Sequence, residues 1–397
     1  MVTASMPFSF RTILPFGTPL RSDLAGLGAA AAVPAPIAPA SRAADRLDAN
    51  EYPYDLPEPL KRELSRRIAA LASHRYPDDQ HRALSRAIAR YVEQSGGLAR
   101  GAIDEGHLAV GSGSSELLRA AIVASCVGND GVVMTFTPTF AMYDVWARTL
   151  GVPVLSIPRD PRTDAIDLAQ ADHLVRSGDQ GRVRVVFVTH PNSPTGVPLT
   201  TPEIAWLRAL PEDVLVVVDE AYFEFCGHTL VAEIFERPHF MITRTFSKGL
   251  RLAAFRVGYA VMSPRLCAAI ERVRAPFNVS AASQLAAQIV LEHHESLRRR
   301  NADVLAERGR LGTALAELES LRVWPSAANY LFVTLRDPNA DRLALLHQQL
   351  THRGTLVRQT AGGLRITIGT REQNRRTEAH LRRALEATDA TDATDRH

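Results

Sequence analysis

Five short apolar runs constrain this chain more than anything else in it. Gly131 to Phe136, Val183 to Thr189, Val214 to Val218, Met241 to Thr245 and Val257 to Met262 are of strand length, rich in Val, Ile and Phe, and separated by stretches with helical periodicity. Strands that read as nearly continuous apolar residues must be covered on both faces, as in a parallel or mixed sheet flanked by helices. The expected fold class is therefore α/β. After residue 280 the order changes. A helical stretch from Ala281 to about Leu318 leads to Asn329–Leu335, a helical Arg342–His352, the short runs Leu356–Gln359 and Leu364–Ile368, and a final helix from Glu372. That order predicts a smaller α+β domain. With 397 residues the chain exceeds the roughly 250–300 that one core supports. We expect an N-terminal segment 45–75 joining the small domain, a large domain over 76–279, and the small C-terminal domain over 280–390.

Residues 1–44 have no sustained period and end in the Ala/Pro tract Ala29 to Ala40, which reads as a flexible tail. An export signal is the rival reading, since Arg11 and Arg21 precede the small-residue stretch Leu24 to Val33. No uninterrupted apolar run reaches the roughly 18 residues of a membrane span, so no membrane partner is expected. The charges nearly balance, 46 basic against 43 acidic, and nothing marks the chain as a nucleic-acid binder. Three cysteines, Cys126, Cys226 and Cys267, without C-x-x-C spacing, argue for free thiols in a reducing compartment, a cytoplasmic location, and no metal site.

Only two of the 46 basic residues are lysines, Lys61 and Lys248. Lysine alone among the strong cations can lose its proton and act as an amine nucleophile, so each retained lysine is informative. Lys61 lies in a charge-rich amphipathic run and reads as a solvated helix face. Lys248, in Thr245-Phe246-Ser247-Lys248-Gly249, falls just past an apolar run, at a strand end. Arg256 follows eight residues later, and an arginine with two hydroxyls can hold a dianionic phosphate. Val214–Val218 delivers Asp219 at its carboxyl end, with Tyr222 three residues on. A buried strand-end acid needs a cation or donors, so Asp219 reads either as a cap or as a carboxylate aimed at a cationic ring nitrogen. Gly111-Ser112-Gly113-Ser114-Ser115 opens an apolar-periodic helix, which is either simply capped or built to hold an anion.

Taken with His190-Pro191-Asn192-Ser193-Pro194-Thr195-Gly196, these residues resemble the fold-type I aminotransferases that use pyridoxal phosphate, over roughly residues 47–385. Asn50-Glu51-Tyr52-Pro53, Arg75-Tyr76-Pro77, Asn329-Tyr330 and Leu364-Arg365-Ile366-Thr367-Ile368-Gly369-Thr370 are most similar to the histidinol-phosphate aminotransferase family. The resemblance implies a mixed, mostly parallel seven-stranded sheet in the large domain. It also implies transamination of L-histidinol phosphate with 2-oxoglutarate in histidine biosynthesis.

The resemblance further assigns roles by position. Lys248 carries the cofactor covalently and shuttles the proton, Asp219 keeps the pyridine nitrogen protonated, and Tyr222 hydrogen-bonds the 3-oxygen. Phe140 stacks on the ring. Ser114, Ser115, Thr245, Ser247 and Arg256 form the phosphate cup, and Tyr76 reaches the cofactor of the neighbouring subunit, which implies a homodimer. Arg365 binds the anionic end of the amino donor or 2-oxo acid, with Arg358, Tyr52 and Asn329 beside it. One position departs from the family: Ser193 stands where an asparagine commonly donates to the 3-oxygen, leaving Ser193 and Asn192 as alternatives. Two other functions share these motifs. One is a related cofactor enzyme of specialised metabolism, an aminotransferase or decarboxylase for another amino acid. The other is a non-catalytic ligand-binding protein on the same fold.

Overall fold

The computed structural model describes residues 44–394. The tail expected over 1–44 lies, apart from Ala44, outside the described residues.

A seven-stranded sheet runs in the order Leu108–Gly111, Gly258–Met262, Phe240–Thr245, Leu215–Asp219, Arg182–Thr189, Gly131–Thr137, Val154–Pro158. Only Gly258–Met262 is antiparallel to its neighbours. The other six strands are parallel and end at one edge, as expected for a mixed, mostly parallel sheet. The five runs seen in the sequence are its five inner strands. The two strands that were not anticipated, Leu108–Gly111 and Val154–Pro158, are its edges. In Val154–Pro158 only Ile157 is buried, so the apolar signal is weak, whereas Leu108–Gly111 is buried throughout but only four residues long.

Alternation along the inner strands explains the two-sided burial. Val186, Val188, Val216 and Val218 face one layer, with Leu84, Ile88 and Val92 of the helix Arg82–Gly96. Val185, Phe187 and Val217 face the other, with Leu117, Leu118 and Ile122 of the helix Ser114–Cys126. Each side chain buried in this way contributes about 1.5–3 kcal/mol.

The second sheet is antiparallel, in the order Arg358–Thr360, Gly363–Thr367, Tyr330–Leu335, Leu321–Val323. The helices Asn301–Ala316, Ala340–His352 and Arg371–Thr394 accompany it, and Leu311, Leu346, Leu364, Ile366 and Leu381 form its core. Asp45–Arg46 pairs in parallel with Thr355–Leu356, which fastens the start of the chain to this smaller unit. The change of core does not follow the expected boundaries at 75/76 and 279/280. Leu60 and Leu64 of the helix Glu58–Ala69, and Ala286 to Leu291 of the helix Ala281–Glu292, bury in the core of the larger sheet. The long helical stretch expected from Ala281 is three helices, interrupted near His293 and Arg300.

Candidate active site

The carboxyl edge of the larger sheet gathers the chemistry. Gly111, Thr137, Thr189, Asp219 and Thr245 all end strands there, and Gly258 begins one. The hollow of about 510 Å³ lined by Arg184, Asp213 and His239 contains none of the residues singled out in the sequence.

Asp219 is 4 % exposed. Its Oδ2 accepts from the Tyr143 hydroxyl at 2.8 Å, and its Oδ1 from the Thr243 hydroxyl and the Ala221 N–H, both at 3.2 Å. Burial outweighs these donors and raises the carboxyl to about 6. Among the described residues no cation pairs with it. A carboxylate so placed is completed by a positive group arriving from outside the chain.

Lys248 follows the strand Phe240–Thr245 by three residues, and its Nζ donates to the Ala49 carbonyl at 2.7 Å. Crowding by protein atoms lowers the ammonium to about 7, helped by the charges of Arg365 and then Arg256. Its proton is thus held far more loosely than on an ordinary lysine, the condition a nucleophilic lysine needs. Lys61, by contrast, is an exposed partner of Asp55 on the helix Glu58–Ala69, as its sequence context suggested.

Between these groups and the sheet lies an anion cradle. The helix Ser114–Cys126 starts without a side-chain cap, which leaves its first N–H groups free. Gly113 has φ +75°, and a Cβ there would fall 2.6 Å from Arg256 Nη2. A Cβ on Gly258 would fall 2.1 Å from the Ser114 nitrogen. Only glycines let the three segments approach this closely. Arg256 Nη1 donates to Ser247 Oγ at 3.1 Å. The Thr245 hydroxyl turns back into its strand pair, accepting from the Ser247 N–H and donating to the Val257 carbonyl. Phe140 is half-buried and meets Tyr143 and Trp146 edge-on.

The smaller sheet supplies the far wall. Arg358 and Arg365 are direct cross-strand partners, so their side chains leave the same face. Arg365 Nη2 donates to the Asp48 carbonyl at 2.8 Å, while its buried Nε has no partner. Desolvation and the charge of Arg365 both press the Arg358 guanidinium toward its neutral form. Asn329 is fully buried and donates to the Asn50 carbonyl. Tyr52 lies under Arg251, with the guanidinium carbon 4.2 Å from the ring centre. Tyr76 is 80 % exposed and stacks on Phe277.

The two alternatives at the 3-oxygen position are placed differently. Asn192 Nδ2 faces the Pro138 carbonyl, Asp164 and Thr195, all within 3.1 Å. An amide nitrogen has two protons, so Asn192 has none to spare for a ligand. Ser193 is buried beside it, with its side chain hydrogen-bonded to the Tyr330 phenol.

The family model for class I and II aminotransferases matches residues 46–381. The chain belongs to this family. It is 45% identical over 387 residues to "Histidinol-phosphate aminotransferase 2" of Nostoc sp., covering 94% of this chain and 98% of the relative. It is 47% identical over 342 residues to the histidinol-phosphate aminotransferase of Thermosynechococcus vestitus, covering 86% and 91%. In fold it is similar to the crystal structure of histidinol-phosphate aminotransferase from Sinorhizobium meliloti in complex with pyridoxal-5'-phosphate. That likeness has a TM-score of 0.76 at 22% identity and covers 87% of this chain and 91% of that one.

This aminotransferase is an enzyme that depends on pyridoxal phosphate, and its residues fit that group. The glycine-lined cradle would suit a phosphate, Asp219, which has no cationic partner among the described residues, would suit a cationic ring nitrogen, and the low-pKa Lys248 would suit an aldehyde carbon. Several residues around these groups were given no role by the sequence: Tyr143 and Thr243 around Asp219, and, inside motifs quoted only for the resemblance, Asn50 and Thr367 around Tyr222. Tyr143 carried one usable signal, a helical spacing of three from Phe140.

Proposed function

We propose that this aminotransferase moves the amino group of L-histidinol phosphate to 2-oxoglutarate, as the names of its relatives suggest, and that it works as a cytoplasmic homodimer. The observation that carries the substrate choice is the Arg358–Arg365 pair. Two guanidinium groups side by side repel each other, and Arg358 is partly desolvated. A monoanionic carboxylate neutralises one of them, whereas a phosphate dianion neutralises both.

The roles of the chain's residues follow from their placement. Bound pyridoxal phosphate supplies the electron sink for the pair left on Cα when its proton departs. Lys248, whose ammonium is held well below the usual lysine range, takes that proton as the amine and returns it as the ammonium. Asp219, held by Tyr143 and Thr243, keeps a negative charge against the ring nitrogen. Arg256, Ser247 and the N–H groups of Ser114 and Ser115 hold the cofactor phosphate. Ser193 takes the family's asparagine position at the 3-oxygen, and Tyr222 donates to the same oxygen. Arg365 and Arg358 orient the substrate by its anionic end, with Tyr52 and Asn329 lining the approach. Tyr76 completes the partner's site, which accounts for an aromatic pair left exposed on the surface.

Single-turnover spectra of the holoenzyme with histidinol phosphate, histidine, phosphothreonine and glutamate test the proposal. Histidinol phosphate should react fastest. Arg358→Ala should slow that half-reaction at least tenfold more than the one with 2-oxoglutarate, because only the former brings a phosphate, with two charges on one group; each carboxylate of the keto acid carries one. Equal losses in both half-reactions would refute the role of the arginine pair, and no spectral change with histidinol phosphate would refute the substrate.

A further inference from the structure

The segment Leu47–Asn50 bonds to four of the groups just described, Arg365, Lys248, Asn329 and Tyr222. Its carbonyls accept in turn from Arg365, Lys248 and Asn329. Asn50 closes the segment with φ 52° and is 1 % exposed. Its side chain makes a chain of contacts in which each proton has a determined direction.

The Thr367 hydroxyl accepts from the Asn50 backbone N–H at 3.0 Å and donates its own proton to Asn50 Oδ1 at 3.1 Å. Thr367 is buried, and Oδ1 is the one acceptor among the described residues for that proton. With the amide turned over, the hydroxyl proton would face the NH2 group and lose its acceptor. The amide is therefore held with Oδ1 toward Thr367 and Nδ2 toward Tyr222, whose oxygen lies 2.9 Å away. An amide nitrogen can only donate, so the Tyr222 oxygen accepts there. Its single proton is left for another neighbour.

We infer that Asn50 is a positioning residue that makes Tyr222 a hydrogen-bond donor to the cofactor's 3-oxygen, with Thr367 holding Asn50 the right way round. The inference rests on the cofactor reading above. A donor at the 3-oxygen stabilises negative charge on it and loosens its hold on the proton shared with the nitrogen from Lys248. The donor therefore lowers the pH at which that proton leaves.

The test is a pH titration of the visible absorbance of the holoenzyme, read for its midpoint rather than for turnover. Asn50→Asp replaces the donor by an acceptor, so the Tyr222 proton turns to the new carboxylate. The midpoint should rise by roughly one unit, the tenfold change that a hydrogen bond to a charged oxygen is worth. Tyr222→Phe should raise it similarly. The new charge alone could also raise it, and the double variant separates the two effects: in the Tyr222→Phe background, Asn50→Asp should move the midpoint by a small fraction of its effect on wild type. Thr367→Val should shift the midpoint in the same direction, and Thr367→Ser should restore the wild-type value. An Asn50→Asp shift of equal size with and without the Tyr222 hydroxyl overturns the inference, as does an unmoved midpoint in both Asn50→Asp and Thr367→Val. A wild-type protein with no titrating visible band overturns the cofactor reading beneath it, which is a separate failure.

Discussion

Asp219 offers the sharpest energetic test because its carboxyl is strained only while nothing cationic is bound. Burial takes it from 3.8 to about 6 in spite of three donors. At about 1.4 kcal/mol per unit, ionised Asp219 costs the cofactor-free fold about 3 kcal/mol. The folded value lies above the unfolded one, so the folded state holds the proton longer. The related stability is fully present below about pH 4, is lost as pH rises through about 6, and is constant above that. Asp219→Asn keeps the shape and removes the titration. The cofactor-free variant should therefore gain on cofactor-free wild type by about 2 kcal/mol between roughly pH 4.5 and pH 8. Bound pyridoxal phosphate should reverse the order at pH 8, because only the aspartate supplies a negative partner to the ring nitrogen. Urea unfolding of both proteins, with and without cofactor at the two pH values, measures all four differences. If the cofactor-free proteins keep a constant difference across this range, Asp219 is not strained and the argument for its cationic partner fails.

Two further outcomes follow from the placement of Lys248 and Tyr76. Covalent capture of pyridoxal phosphate by the cofactor-free protein should accelerate as pH rises through about 7 and level off above it. Arg365→Gln should move that midpoint upward by removing a repelling charge, and Lys248→Ala should abolish capture; a wild-type midpoint near 10 in stopped-flow absorbance would contradict the crowding around Nζ. Tyr76→Ala, at a position 80 % exposed, should leave unfolding unchanged while weakening cofactor retention roughly tenfold in a dimer seen by sedimentation; a fully active monomer would sink the shared-site reading.

The inner sheet was legible because its strands are buried on both faces, and that condition writes itself into consecutive residues: Val214 to Val218 can hardly be anything else. Asp219 and Lys248 were legible for a related reason, since a charge placed directly after such a run stands at the edge where ligands bind. Of the edge strands, Val154–Pro158 escaped because a half-covered strand needs few apolar residues, and Leu108–Gly111, though buried throughout, because four residues are too short a run to stand out. The partners that set the site's protonation escaped because they lie far away in the chain. Tyr143 is 76 residues from Asp219, Asn50 is 172 from Tyr222, and Thr367 is 317 from Asn50. No local period records a contact of that kind. Asn192 shows the converse. Its neighbourhood in the sequence suggested a ligand contact, whereas Asp164, 28 residues earlier, and Thr195 take up its protons.

The common feature of these groups is that each is left electrostatically incomplete by the chain alone. Asp219 is a carboxylate without a cation, Lys248 an amine held below its ordinary range, and Arg358 and Arg365 a like-charged pair with a buried nitrogen unpartnered. Each deficit matches one part of the proposed ligands: ring nitrogen, aldehyde and phosphate. Had the site evolved only to stabilise the fold, an apolar substitution at any of these positions would relieve the strain without penalty. The segment Leu47–Asn50 makes the deficits interdependent, because its successive carbonyls accept from Arg365, Lys248 and Asn329. On the proposed roles, an anion that drew Arg365 off the Asp48 carbonyl and an aldehyde that drew Lys248 off the Ala49 carbonyl would release adjacent peptides of one segment. Binding at the arginine pair and chemistry at the lysine would then act on the same four residues, with Asn50, at the end of that segment, joined to Tyr222.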